Sequence, residues 1–154
     1  MSNTRPIGIT VLCSLIAISL GAVPTYLAYL FLTNQEASNL TGMNLSAFLL
    51  NASISIGIAV SSFFTWKGNI RAKQIMFSLI WIHAIGVVYN NISLLINPSL
   101  LGFDALNVEQ KTKLFSNIVR AIMWLALIYW YFNTEKVKAF FSKATEISSP
   151  SSDT

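Results

Sequence analysis

The chain has 154 residues, enough for one domain, yet 54% of them are hydrophobic and only 10% are charged. Soluble domains carry about 25% charged residues, and a soluble fold this short has too little interior to hide so much apolar surface, so the composition argues against a water-soluble globule and points to lipid as the solvent. The net charge of +4 does not indicate nucleic acid, because the basic residues sit mainly at the edges of apolar runs, where they suit phosphate headgroups, and no RNA- or DNA-binding motif is present.

The first apolar run covers residues 7–33 and follows Arg5 and Pro6. It continues through Leu27, Leu30 and Leu32, past the length of a secretory signal core, so a retained span is expected rather than a cleaved leader. Pro24 lies inside it and should kink the helix, since proline removes an amide donor and crowds the carbonyl four residues back. The second run covers 45–66, the third 75–96 and the fourth 114–132. Each reaches or approaches the roughly 20 residues that cross a bilayer as a helix, and none contains Asp or Glu. These runs are far longer than the roughly 10-residue strands of a membrane barrel. The expected fold is therefore all-α: a polytopic membrane protein with a four-helix antiparallel transmembrane bundle, its short connections favouring up-down-up-down order.

Threading follows from Lys and Arg near the span ends. Arg5, Lys67, Arg71, Lys73, Lys136, Lys138 and Lys143 fall on one side. Lys111 and Lys113 fall on the other, with Glu36, Asp104 and Glu109. The richer side should be cytoplasmic, which places both termini inside. After the fourth run, Val137, Phe140, Phe141, Ala144 and Ile147 share one helical face, so residues 135–147 read either as an amphipathic segment on the inner leaflet or as a plain extension of the fourth helix. The small, polar residues 148–154 are expected to be disordered.

Small and polar residues mark the packing faces of helices in lipid. The first run offers Ser14, Ala17, Gly21 and Ala28; the second offers Asn51, Ser55, Ala59 and Ser62, with Ser53, Gly57 and Ser61 as a second stripe suited to a homo-oligomer. The third carries His83, Gly86, Asn90, Ser93 and Asn97, and the fourth Asn117, Arg120 and Trp124 beside Ala121. Counted from the outer ends at about 1.5 Å per residue, Asn51, Asn90, Asn91 and Arg120 all lie roughly 9 Å deep, with Asn117 one turn shallower. Arg120 is the only formal charge within a span and has no carboxylate partner there. Two readings follow. Either Arg120 snorkels to headgroups while the asparagines join helices, or the cluster is an outward-facing pocket for an anionic ligand or a partner helix. His83, near mid-membrane, is a proton-relay candidate or a neutral helix–helix hydrogen-bonder.

Catalytic sets are missing from the sequence: it has no Ser/His/Asp constellation, no embedded carboxylate for proton coupling and no Gly-rich phosphate loop. One histidine and one cysteine, Cys13, make neither a metal ligand set nor a disulfide, so no cofactor is expected. The function expected is non-enzymatic and exercised through a membrane or periplasmic partner, as an accessory subunit, assembly factor or immunity protein. The alternative is a small oligomeric carrier or channel subunit with the polar stripe lining its path.

Arg5-Pro6-Ile7-Gly8-Ile9-Thr10 leads into the first span, and Tyr129-Trp130-Tyr131-Phe132 leads into Val137-Lys138-Ala139-Phe140-Phe141. In these two short segments the chain resembles a loose class of small, uncharacterised prokaryotic four-helix membrane proteins. The resemblance implies a prokaryotic plasma (inner) membrane, and it implies no activity and no functional residues.

Overall fold

The computed structural model describes residues 6–33, 45–101 and 105–148. Arg5, Glu36, Asp104 and the tail from 149 to 154, each used in the reading above, lie outside them. The described residues are helical throughout apart from short turns. They form α1 (Ile7–Ile16), a π-helical segment (Ala17–Ala22), α2 (Val23–Thr33), α3 (Leu45–Trp66), α4 (Ile70–Ile96), a 3-10 turn (Pro98–Leu101), α5 (Val108–Phe132) and α6 (Glu135–Ser148). Four stretches, Ile7–Leu30, Leu49–Trp66, Ile70–Ile96 and Val108–Phe132, are long and apolar enough to cross a membrane. The third and fourth helices begin earlier than their apolar runs, at Ile70 and Val108, because polar caps rather than hydropathy start them.

Those caps are local chemistry. Asn69 accepts a hydrogen bond from the Ala72 amide at 3.0 Å, and Asn107 and Gln110 exchange side-chain bonds with each other's amides at 2.8 and 3.0 Å, a capping box. Between α3 and α4 the chain reverses in three residues. Gly68 takes φ 91°, and the amides of Gly68 and Asn69 reach back to the Thr65 and Phe64 carbonyls at 2.9 and 3.1 Å, which is the glycine-dependent Schellman closure. After α5 the helix breaks, and Thr134 starts α6 by accepting from the Val137 and Lys138 amides at 3.1 and 3.0 Å.

The effect of Pro24 is a widening one turn earlier. The Val23 amide donates to Ile18, five residues back, so the turn ahead of the ring is already loosened where proline would otherwise collide with it. The Thr25 hydroxyl then donates to the Gly21 carbonyl at 2.8 Å.

The first span packs on α3, α3 on α4, and α4 on α5. The core gathers where the start of α1, the α3–α4 turn and the α5–α6 turn come together. Ile9, Leu12 and Ile16 meet Met76 and Ile80 of α4, Ile128 and Phe132 of α5, and Val137 and Phe141 of α6. Phe77 stands edge-on to Phe132 at 5.3 Å, the Lys73 ammonium lies 4.8 Å over the Phe141 ring, and Trp66 donates to Thr10 at 3.2 Å. The apolar face expected on the inner leaflet is therefore turned inward at Val137 and Phe141, because aromatic surface at the bundle end is there to receive it.

The small-residue stripes fare unevenly. Gly21, Ala28, Ser55 and Ser62 are buried, whereas Ser14 is exposed. Gly57 abuts Leu79 and Ser61 is buried, so most of the second stripe on α3 is used within the chain. On α4 the packed face runs through Ala72, Met76, Ile80, Ala84 and Asn91, beside the expected stripe rather than along it. Gly86, Asn90 and Asn97 are exposed.

Candidate functional site

Away from the core end the helices separate and leave two clefts, one on each side of α4. The first lies between α3 and α4, has a volume of about 350 Å³, and is bordered by Asn51 and Ile54 on one side and His83, Gly86, Asn90 and Asn91 on the other. The second, of about 340 Å³, lies between the π segment, α4 and α5, where Ser19 and Leu20 face His83, Asn117, Arg120 and Trp124. His83 and Val87 border both. The six residues singled out in the sequence thus divide between two neighbouring clefts with His83 common to them, instead of forming one cluster.

Only one pair among the six is joined directly. The Asn117 side-chain amide donates to the Asn91 side-chain oxygen, Oδ1, at 3.4 Å, at the long end of hydrogen-bond range. Asn91 is buried and also donates to the Val87 backbone carbonyl at 2.7 Å, so the amide that links α5 to α4 is fixed on its own helix. Asn90, its neighbour in sequence, is turned about 100° away by the helical repeat and is exposed. Asn51 and His83 are half-buried, and Arg120 is exposed. Among the described residues the Arg120 guanidinium has no ion-pair or hydrogen-bond partner, although a guanidinium offers five donors.

Sequence reasoning missed Ser19 and Leu20. They face the second cleft because the π segment re-aims that turn, and the signal for it was Pro24 a turn further on. The Ser19 hydroxyl donates to Leu15 at 2.6 Å, which leaves its oxygen able to accept. Sequence also gave no sign that the fourth span would be so little covered. Only 6% of its most apolar window is buried, against 28% in each of the first two spans. A broad concavity of about 730 Å³, lined among the described residues by α5, runs past Arg120, Met123, Leu127 and Trp130.

Among the described residues no three His, Cys, Asp or Glu side chains gather to hold a metal ion. What the clefts offer is amide donors and acceptors, one imidazole, one hydroxyl and one guanidinium, arranged at the edge of an apolar bundle. Comparison with family models, with curated proteins and with solved structures finds no match to this chain.

Proposed function

We propose that this chain is a four-span integral protein of a prokaryotic inner membrane, with both ends cytoplasmic, and that it works by binding a partner rather than by chemistry. Contacts between the spans support the antiparallel bundle. Thr10 meets Trp66 and Gly21 meets Ala59. Gly57 meets Leu79, while Phe77 meets Phe132 and Asn91 meets Asn117. In the first and last of these pairings the numbers rise along one helix as they fall along the next, and the three-residue reversal after Trp66 turns α4 back along α3. Exposed large apolar side chains on all four spans, such as Val11, Val60, Ile85 and Met123, suit contact with acyl chains. Lys67, Arg71, Lys136 and Lys138 are exposed around the sealed core end, as the positive-inside rule asks.

The observation that carries the binding role is the open polar end. Asn51, His83, Asn90 and Arg120 line clefts with hydrogen-bonding capacity that the described residues do not take up. Polar groups in an apolar setting need partners, and no described residue supplies them here, which supports a partner from outside the chain. The partner that fits presents a polar segment or a hydrogen-bonding helix to the outer half of the bundle, as a subunit, an assembly client or a toxin would. Gentle extraction from native membranes should bring a stoichiometric partner down with the wild type and lose it with the Asn51→Leu/Asn90→Leu double variant. A clean monomer from wild-type membranes would refute the binding role.

A second reading rests on His83 bordering both clefts, which makes α4 a shared wall of a polar path. A carrier or channel built on it requires an oligomer, since four helices rarely enclose a pore alone. Flux through liposomes containing an oligomeric preparation tests it, and no flux removes it.

A further inference from the structure

We infer that α5 holds a glycerophospholipid, its phosphate on Arg120 and one acyl chain in the groove that runs down past Met123. The inference rests on the bilayer part of the reading above and not on the partner. Three observations converge on it.

The first is charge. Arg120 has no counter-ion among the described residues, and the nearest acidic side chain on its own helix that the structure describes, Glu109, sits in the first turn of α5, about 16 Å up the axis. A guanidinium pairs well with phosphate through paired N–H donors. Exposed Lys111 and Lys113 stand about two turns nearer the helix start and hold the same end of α5 among headgroups. The second is direction. Side chains of a helix lean toward its N-terminus, so the guanidinium is carried from roughly 9 Å deep, counted from Leu114, toward the nearer interface, which is the snorkelling geometry.

The third is fit. Counted from Leu114, the midplane of a roughly 30 Å hydrocarbon layer falls about ten residues along α5, near Trp124, so an acyl chain that starts at the interface beside the raised guanidinium runs past Ser116, Val119 and Met123 to that level. Along that length the groove is walled by Val119, Met123 and Trp124, with Ala126 as the small residue at its deep end. Beside the guanidinium, Asn117 and the Ser19 hydroxyl border the adjoining cleft and supply further polar contacts for a headgroup. One lipid thereby accounts for both the cation and the helix face that the described residues leave without a partner.

The test uses full-length protein extracted from membranes into phosphate-free maltoside detergent, with lipid read by native mass spectrometry and phosphorus analysis. Wild type should retain about one phospholipid per chain. Arg120→Gln should lower that retention about tenfold or more, the loss of one charge-assisted contact, while Arg120→Lys keeps most of it. Ala126→Trp, which fills the groove, should reduce retention, whereas Val60→Trp on another exposed face should not. If Arg120→Gln does not fold, the Ala126→Trp and Arg120→Lys arms decide alone. Added phosphatidylglycerol should raise the Tm of delipidated wild type saturably, and inorganic phosphate at equal concentration should not. The proposal is overturned by equal lipid retention in wild type and Arg120→Gln, by stabilisation with inorganic phosphate alone, or by release of a co-purifying membrane helix from Arg120→Gln with lipid unchanged. A chain that stays in the supernatant without detergent would instead remove the bilayer reading.

Discussion

Gly21 of the π segment lies directly on the backbone of Ala59 in α3: a Cβ built on Gly21 would stand 2.7 Å from the Ala59 Cβ and 3.1 Å from its Cα. The neighbour here is largely main chain, which cannot swing aside. Gly21→Ala should therefore force the first span away from α3 and cost about 1–3 kcal/mol, as overpacking does. Gly86, by contrast, has nothing within 4 Å of an added Cβ, so Gly86→Ala should be neutral or stabilise by up to about 1 kcal/mol through helix propensity. Thermal or SDS unfolding of the two variants in one detergent checks the pair, and a similar response from both would show that the Gly21 contact does not set the packing.

The α3–α4 turn makes a separate prediction. Gly68 holds φ 91°, which an L side chain enters at about 1–2 kcal/mol, so Gly68→Ala should destabilise by that amount. Asn69→Ala removes the cap to Ala72 and should cost about 1 kcal/mol. Gly68→Asn should recover part of the loss, because asparagine tolerates the left-handed region. Equal unfolding curves for Gly68→Ala and wild type would mean that the three-residue reversal can close in another way.

Much of this architecture is legible in the sequence. The 45–66 run coincides with α3, because its ends are set by hydropathy and by the turn after Trp66. The starts of α4 and α5 were missed by about a turn or more, since Asn69 and Asn107 begin those helices in polar sequence that a hydrophobicity argument excludes. The depth argument set Asn117 one turn shallower than Asn91, and in the structure the two bond. It could not say which of Asn90 and Asn91 faces inward. Adjacent residues differ by about 100° around a helix, and the stripe of small residues favoured Asn90, whereas close packing through Ala84 and Met76 selected Asn91. The division of the polar residues into two clefts was also out of reach, because it depends on which side of α4 each neighbouring helix packs against.

The Asn91–Asn117 link is the one direct polar bridge among the candidate residues, and a double-mutant cycle measures it. Interhelical hydrogen bonds in membranes average about 0.6 kcal/mol and reach about 1.7. At 3.4 Å this one belongs near the lower value. Asn91→Leu alone should cost more than Asn117→Leu, because it also leaves the Val87 carbonyl without the amide that now reaches it at 2.7 Å. Coupling indistinguishable from zero would show that the two helices are joined here by packing alone.

The last prediction concerns α6. Val137 and Phe141 are buried against Phe132, with the Phe132 and Phe141 rings 6.3 Å apart and Lys73 capping Phe141 from α4. A helix that merely lay on the leaflet would contribute little to the stability of the bundle. One that plugs its end should contribute as core residues do, so Phe141→Ala should cost about 3–5 kcal/mol, whereas Ala139→Ser on the exposed side should change stability by less than about 0.5 kcal/mol. Lys73→Met should separate the cation from the stem: the loss should be about 0.5–1 kcal/mol, because the aliphatic part of the side chain still covers the ring. Proteolysis at the α5–α6 junction gives an independent readout. Asn133 should resist cleavage in wild type and become accessible in Phe141→Ala, and resistance in both would place the anchor of α6 somewhere other than the Phe132–Phe141 contact.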